Sequence, residues 1–347
     1  MRIKKVNKLV MLSFYFGPKP TYYSLWEKCV LSNRNIDFIL FTDFTDIYSK
    51  NNLTVIKCSL EEMRMKVKSR FDFPIKMQFA YKFADFRPAW GEIFSDYITG
   101  YDFWGYSDLD MLIGDIQTLL NEEILANYDK FYEYGHFTIY RNDKDVNAVY
   151  KNCDCEYPEY TYKDAFTMVE QLYFDEFRGI LPKFIRSGYR VFTDYSNVYD
   201  APPEKRQLVY DLGYRMCIVV IEYDHGKVYR LFKEKDKIVR TELIYFHFQK
   251  RELSNPYLTS ITMPNRFYVL PNKIVEFNEI TEEQLNHFLS QKIQNSISDY
   301  IYTFKYYIRK LLRNSYGIKG MARRRKHSKD SMEYINKLLL GRRCDRI

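Results

Sequence analysis

Residues 103–110 read Phe103-Trp104-Gly105-Tyr106-Ser107-Asp108-Leu109-Asp110, an apolar run that stops on two carboxylates one residue apart. An apolar stretch of this length is the pattern of a strand buried on both faces, as in a parallel sheet. The pattern recurs upstream. Residues 9–16 are mostly apolar and end at Gly17-Pro18, residues 36–41 end at Thr42-Asp43, and residues 53–57 give a further strand. Residues 22–31 suit a short helix. Ser59 with Glu62 makes a capping box that opens a helix reaching about residue 69. A further helical stretch is expected over 75–83, with Pro88 marking a break. Strands alternating with helices predict an α/β fold with a mostly parallel central sheet flanked by helices. Ligands bind such sheets beyond the carboxyl ends of the strands, where Asp43, Asp108 and Asp110 all fall.

Beyond residue 130 the pattern loosens. Residues 131–140 read as strand, 160–178 as helix and 217–250 as a β-rich return. Residues 298–313 suit an amphipathic helix, with Ile301, Phe304, Ile308 and Leu311 on one stripe and Lys305, Arg309 and Lys310 largely off it. No internal repeat is visible. We expect a catalytic body over 1–255 and a helical, basic extension over 256–347.

The chain has 347 residues, 46% hydrophobic and 28% charged, which excludes a disordered polypeptide. Its net charge of +8 is unevenly placed. Residues 291–347 hold 15 Lys+Arg against 4 Asp+Glu, a net of +11, so the body before them is at −3. Nucleic-acid binding needs a basic face on the folded body, so the charge argues against it. A basic amphipathic tail instead fits an anionic membrane surface, or a helix packed on the domain with a solvated basic end. The aromatic content of 18% fits a sugar-binding platform or an aromatic core equally. Six cysteines in a chain this long give no disulfide framework, and Cys153-x-Cys155 lacks a second pair at zinc-site spacing. Arg2, Lys4, Lys5 and Lys8 before an apolar run imitate a signal peptide, but Gly17-Pro18-Lys19-Pro20 offers no small-residue cleavage site. With no window long enough to span a membrane, a cytoplasmic protein is expected, peripheral on the inner face if the tail binds lipid.

Two D-x-D triplets occur, and context separates them. Asp143-Lys144-Asp145 lies in a polar loop, whereas Asp108-Leu109-Asp110 follows a buried strand with Leu109 turned back to the core. Adjacent carboxylates at a sheet edge repel unless a hard cation bridges them, and Mg²⁺ or Mn²⁺ with substrate phosphates fits. Solvated loop aspartates are the alternative.

The block Tyr101-Asp102-Phe103-Trp104-Gly105-Tyr106-Ser107-Asp108-Leu109-Asp110 is preceded by Tyr81-Lys82-Phe83-Ala84-Asp85-Phe86-Arg87-Pro88-Ala89-Trp90-Gly91-Glu92-Ile93-Phe94. Together they resemble bacterial glycosyltransferases of capsule and lipopolysaccharide gene clusters. The resemblance runs from Leu9 to about Arg251 and is densest between residues 76 and 116. It implies a GT-A-type, Rossmann-like fold and a nucleoside-diphosphate sugar donor. It also implies Mn²⁺ or Mg²⁺ on the D-x-D pair, and transfer to a growing glycan or lipid-linked glycan. It places Lys82, Asp85 and Arg87 at the nucleotide and its phosphates, with a surface ion pair as the alternative for Lys82 and Asp85. Asp43 is a candidate for base or ribose, or a turn residue.

Period-2 alternation puts Tyr245, His247 and Gln249 on one strand face. In His247-Phe248-Gln249-Lys250-Arg251 the resemblance implies a third metal ligand, His247, and charges (Lys250, Arg251) for the leaving diphosphate. A hydrogen-bonded sheet histidine is the other reading of His247. Tyr134-Gly135-His136 and Phe174-Asp175-Glu176-Phe177 are candidates for the acceptor side, with His136 a donor to sugar hydroxyls. Asp175 is the favoured base, Glu176 its neighbour and Glu170 a weaker candidate. Other classes consistent with paired carboxylates are a metal-dependent nucleotidyl- or phosphotransferase and a non-catalytic glycan- or nucleotide-binding relative. No G-x-x-x-x-G-K-[ST] loop occurs.

Overall fold

In the computed structural model, residues 7–155, 159–249, 251, 253–254, 263–291, 293, 300–305 and 308 are described. Among them the strands of the first half are β1 (Leu9–Tyr15), β2 (Asp37–Thr42), β3 (Leu53–Lys57), β4 (Phe103–Ser107), β5 (Met111–Ile113), β6 (Lys130–Phe131), β7 (Phe137–Arg141) and β8 (Val191–Phe192). The second half adds β9 (Val198–Asp200), β10 (Val209–Asp211), β11 (Met216–Asp224), β12 (Lys227–Glu234), β13 (Lys237–Leu243), β14 (Tyr245–His247), β15 (Arg266–Val269) and β16 (Ile274–Glu276).

The central sheet has the order β3-β2-β1-β4-β7-β6-β8. Strands β3, β2, β1 and β4 run parallel, β7 is antiparallel to both neighbours, and β8 is parallel to β6. This is the α/β architecture with a mostly parallel, helix-flanked sheet that the sequence predicts. Strand order reverses between β1 and β4, which opens a crevice at their carboxyl ends. Ser13 Oγ there donates to Ser107 O at 2.9 Å and ties the two strand ends together.

Apolar clusters cover both faces of the sheet. One holds Trp26, Val30 and Leu40 from the helix Tyr23–Ser32 and β2. The other holds Phe83, Trp90, Trp104 and Phe166, with Phe14 stacked on Phe41 at 4.5 Å. Much of the aromatic content therefore forms core. All three tryptophans are buried, none above 2% exposed.

A three-stranded sheet, β5-β14-β9, and a larger antiparallel sheet, β13-β12-β11-β15-β16 with β10 on β11, complete the molecule. The residues after 255 include strands as well as helix. β15 pairs with β11, and Leu285 and Leu289 of the helix Glu282–Ser290 join Val220 and Leu231 in a small core. Residues 300–305 are helical, and Thr303 Oγ1 donates to Glu204 O at 2.9 Å. The arginine run of the tail lies outside the described residues. No helix among the described residues is long and apolar enough to cross a membrane.

Two helical expectations give way to other structure. Residues 75–79 have no regular structure and Ala80–Ala89 is a 3-10 run, with Pro88 inside it rather than at a break. The helix expected over 160–178 is confined to Tyr162–Thr167, opened by a Thr161/Asp164 capping box. Beyond Thr167 the chain is loop and turn, because side chains of the 3-10 run take backbone groups that a helix would have used. Asp85 accepts from Leu172 N at 2.9 Å and Phe174 N at 3.0 Å.

Candidate active site

The turn after β4 carries Asp108 and Asp110 into the crevice. Asp108 N donates to His136 O at 2.9 Å, and Asp110 O accepts from Phe248 N at 3.1 Å, so the turn is fixed from both sides. Leu109 is buried in the core as its alternation predicts. The register of the three-stranded sheet then sets His247, opposite Met111 of β5 and Asp200 of β9.

His247 is held by two carboxylates. Its Nδ1 lies 2.8 Å from Asp200 Oδ1 and its Nε2 lies 3.4 Å from Asp110 Oδ1. Gln249 Nε2 donates to the same Asp200 oxygen at 2.6 Å. Burial would lower the imidazole's affinity for a proton, but Asp110 and Asp200 outweigh it and raise His247 to about 10. The His136 ring stacks on His247 at 4.1 Å. Burial, reinforced by the charge of His247, drives His136 well below the usual imidazole range. His136 thus stays neutral beside a charged partner.

Asp108, Asp110 and His247 each offer a ligand atom, all within 4.8 Å of one another. Two carboxylates and one imidazole nitrogen suit Mn²⁺, or Mg²⁺ with more water and phosphate oxygens. His136, Asp200 and His247 form a second such group sharing one histidine. A carboxylate on the far nitrogen of a metal-binding histidine fixes its tautomer and ring orientation, which is the position Asp200 occupies.

Arg87 joins the two halves of the site. Its Nη2 bonds Asp108 Oδ1, while Nη1 bonds Gly135 O and donates to Asp175 Oδ2 at 3.0 Å. The guanidinium lies 5.0 Å from the Tyr106 ring centroid. Gly135 leaves room for the carboxylates beside it. A Cβ there would stand 2.6 Å from Asp175 Oδ2 and 2.8 Å from Glu176 Oε1. Asp175 is buried, with its Oδ1 lacking a hydrogen-bond partner among the described residues, whereas Glu176 is half-buried. Burial raises both carboxyl groups above their usual range, opposed for Asp175 by Arg87 and reinforced for Glu176 by Asp175.

The structure therefore brings Arg87, Asp108, Asp110, His136, Asp175, Glu176 and His247 together. It places Lys82 and Asp85 elsewhere. Both are wholly buried, and Lys82 Nζ bonds Asp85 at 2.7 Å, Ala165 O at 2.7 Å and Glu170 O. They anchor the loop that carries Asp175 and have no surface to offer a nucleotide. The half-buried Glu170 is tied to that anchor through its carbonyl. Asp43 is exposed at the end of β2 and accepts from Gly17 N at 3.0 and 3.1 Å, a turn-closing contact. Arg251 turns away, donating to Arg206 O and Pro202 O at 2.9 and 2.6 Å. Lys250 lies outside the described residues.

Three contributors escape sequence reasoning. Asp200 ends the short strand Val198–Asp200, and this strand-then-aspartate pattern, shared with β4, was its one signal. Tyr15 and Tyr22, which hydrogen-bond each other close to Asp110, carry no signal of their own.

Residues 11–278 match a family described as a family of unknown function (DUF6625), and the chain belongs to that family. No curated protein matches. The solved structures to which the chain is similar include two glycosyltransferases. One is apo-form GlyE of Streptococcus pneumoniae TIGR4, at 14% identity over 56% of this chain and 46% of that one, TM-score 0.32. The other is the galactosyltransferase LgtC in complex with donor and acceptor sugar analogs, at 15% identity over 55% and 75%, TM-score 0.33. The chain spans less than half the length of GlyE.

Proposed function

We propose that this protein is a metal-dependent glycosyltransferase that moves a sugar from a nucleoside-diphosphate sugar to a cell-surface glycan, of capsule or lipopolysaccharide type. Support comes from one observation above all. Asp108, Asp110 and His247, from strands far apart in sequence, converge at the crevice where strand order reverses, with ligand atoms within 4.8 Å of one another. Bound there, Mn²⁺ or Mg²⁺ supplies Lewis-acid stabilisation of the leaving diphosphate.

The side chains around it divide the remaining work. Asp200 holds the His247 ring so that Nε2 faces Asp108 and Asp110. Arg87 keeps the Asp108 carboxylate in place and adds positive charge where phosphate oxygens gather. Lys82 and Asp85 hold the loop on which Asp175 and Glu176 sit. Asp175 is the proposed base for the acceptor hydroxyl; its Oδ1 has no hydrogen-bond partner among the described residues but is closed to solvent beside Arg87. Glu176 and His136 line the acceptor side. The body over 1–255 is the proposed catalytic part. Residues 291–347 are proposed to hold it, from the cytoplasmic side, at an anionic membrane where a lipid-linked acceptor would lie.

A panel of nucleoside-diphosphate sugars tests this by Mn²⁺-dependent thermal shift and donor hydrolysis. At least one donor should respond, and Asp110→Ala should abolish the response. A panel with no response, or an unaltered response in Asp110→Ala, overturns it. Normal transfer by Asp175→Asn would remove the base assignment alone. Liposome flotation with and without residues 291–347 tests the membrane assignment, and equal partitioning refutes it.

A further inference from the structure

Away from the crevice, Lys183 is wholly buried in the helix Ile180–Arg186. A buried ammonium ordinarily gathers carboxylate or carbonyl oxygens, as Lys82 does. Lys183 does not. Among the described residues its one hydrogen-bond partner is Cys155 Sγ, at 2.7 Å, and its only other neighbour of note is the Phe174 ring at 5.9 Å. That separation belongs to bonds with oxygen, which span about 2.7–3.2 Å, and is close for the larger sulfur atom. Cys155 is half-buried and therefore reachable, and its Sγ also lies 3.6 Å from Tyr160 O. A thiol that is partly exposed and next to a basic group is the kind that oxidises selectively.

We propose that Cys155 and Lys183 form an oxidative modification site, in which a peroxide links them covalently as Nζ–O–Sγ. One hydrogen peroxide transfers an oxygen atom to Cys155 Sγ and leaves as water, giving the sulfenic acid. A second removes the sulfenic O–H hydrogen and one N–H hydrogen of Lys183 as the O–N bond closes, leaving two waters, while the ammonium's extra proton passes to solvent. The product has gained one oxygen and lost two hydrogens, and both oxidising equivalents come from peroxide. The bridge ties the segment carrying Cys155 to a helix that begins four residues after Glu176. Ile180 N donates to Phe174 O at 2.8 Å, so the fixed helix abuts the loop of the proposed acceptor side.

The test is peptide mass spectrometry of the full-length protein, reduced or treated with hydrogen peroxide, after trypsin and without reductant. The expected result is a linked pair of peptides holding Cys155 and an uncleaved Lys183–Phe184 bond. Its mass should be one oxygen more and two hydrogens less than the sum, and dithiothreitol should reverse it. Lys183→Arg should fold, retain the thiol and lose the linked species. Separate peptides with Cys155 unmodified, or oxidised alone to sulfinic acid, would overturn the proposal. So would a linked species that persists in Lys183→Arg.

Discussion

Arg87→Met is the substitution on which the site geometry makes its strongest demand. The side chain is 16% exposed, and it pairs with Asp175, 2% exposed, and with Asp108, 32% exposed. Removing one partner of a buried ion pair costs about 3–5 kcal/mol, because the other charge stays buried and unpaired. The Asp108 contact, a third exposed, adds less than about 1 kcal/mol after solvent screening. Methionine fills much of the vacated volume, so the loss belongs to the Asp175 carboxylate and not to a cavity. With an unfolding entropy of about 2.1 cal/mol/K per residue, a chain of 347 residues shifts by about 1.4 °C per kcal/mol, so the midpoint should fall by about 4–7 °C. The loss must also depend on pH. Burial already raises the Asp175 carboxyl, and removing Arg87 raises it further. A carboxyl whose folded value lies above its unfolded one stabilises the fold when protonated, and that stability is lost as pH rises through the folded value. The deficit should therefore be larger at pH 8 than at pH 5. Urea titration at both pH values measures it, with Arg87→Met/Asp175→Asn expected to recover most of the loss. A deficit below about 1 kcal/mol at pH 8, the level of a surface pair, would refute the buried-pair account. So would equal deficits at the two pH values.

Asp200→Asn should weaken Mn²⁺ binding about 10–100-fold, as read by titration calorimetry. Unaltered Mn²⁺ affinity would show that Asp200 does not position His247. Gly135→Ala forces a methyl group to 2.6 Å from Asp175 Oδ2 and should cost about 1–3 kcal/mol in denaturant melts. In the unmodified protein, the raised carboxyls of Asp175 and Glu176 stabilise the fold in acid and lose that contribution as pH rises through their folded values. Stability curves of Asp175→Asn/Glu176→Gln should be flatter through neutral pH, and an unchanged slope would contradict the assigned shifts.

The amino-terminal half was legible because its strands are parallel and covered on both faces, so Met11, Leu12, Leu40 and Trp104 sit in unbroken apolar runs. Ser59 and Glu62 form both bonds of their capping box for the same local reason. Legibility failed where distant groups decide the backbone. Residues 168–179 carry helix-forming side chains, yet Asp85 and Lys82 capture their amides and carbonyls from outside. The same pair looked like a surface feature because three-residue spacing says nothing of burial. Asp200 lies far along the chain from Asp108 and meets His247 only through the pairing of β9 with β14, which no local pattern encodes.

The burial of all three tryptophans has a spectroscopic consequence. Indole emission from Trp26, Trp90 and Trp104 should lie toward the blue in the native protein, with no solvent-exposed population to mask a change. Trp90 stands 5.9 Å from the Arg87 guanidinium, and Trp104 is held through its Nε1 by Asn147 at 2.7 Å. Two of the three native fluorophores therefore stand close to the strand and side chain that build the crevice. Occupation of the crevice and loss of the fold can be followed as separate optical signals without an added label.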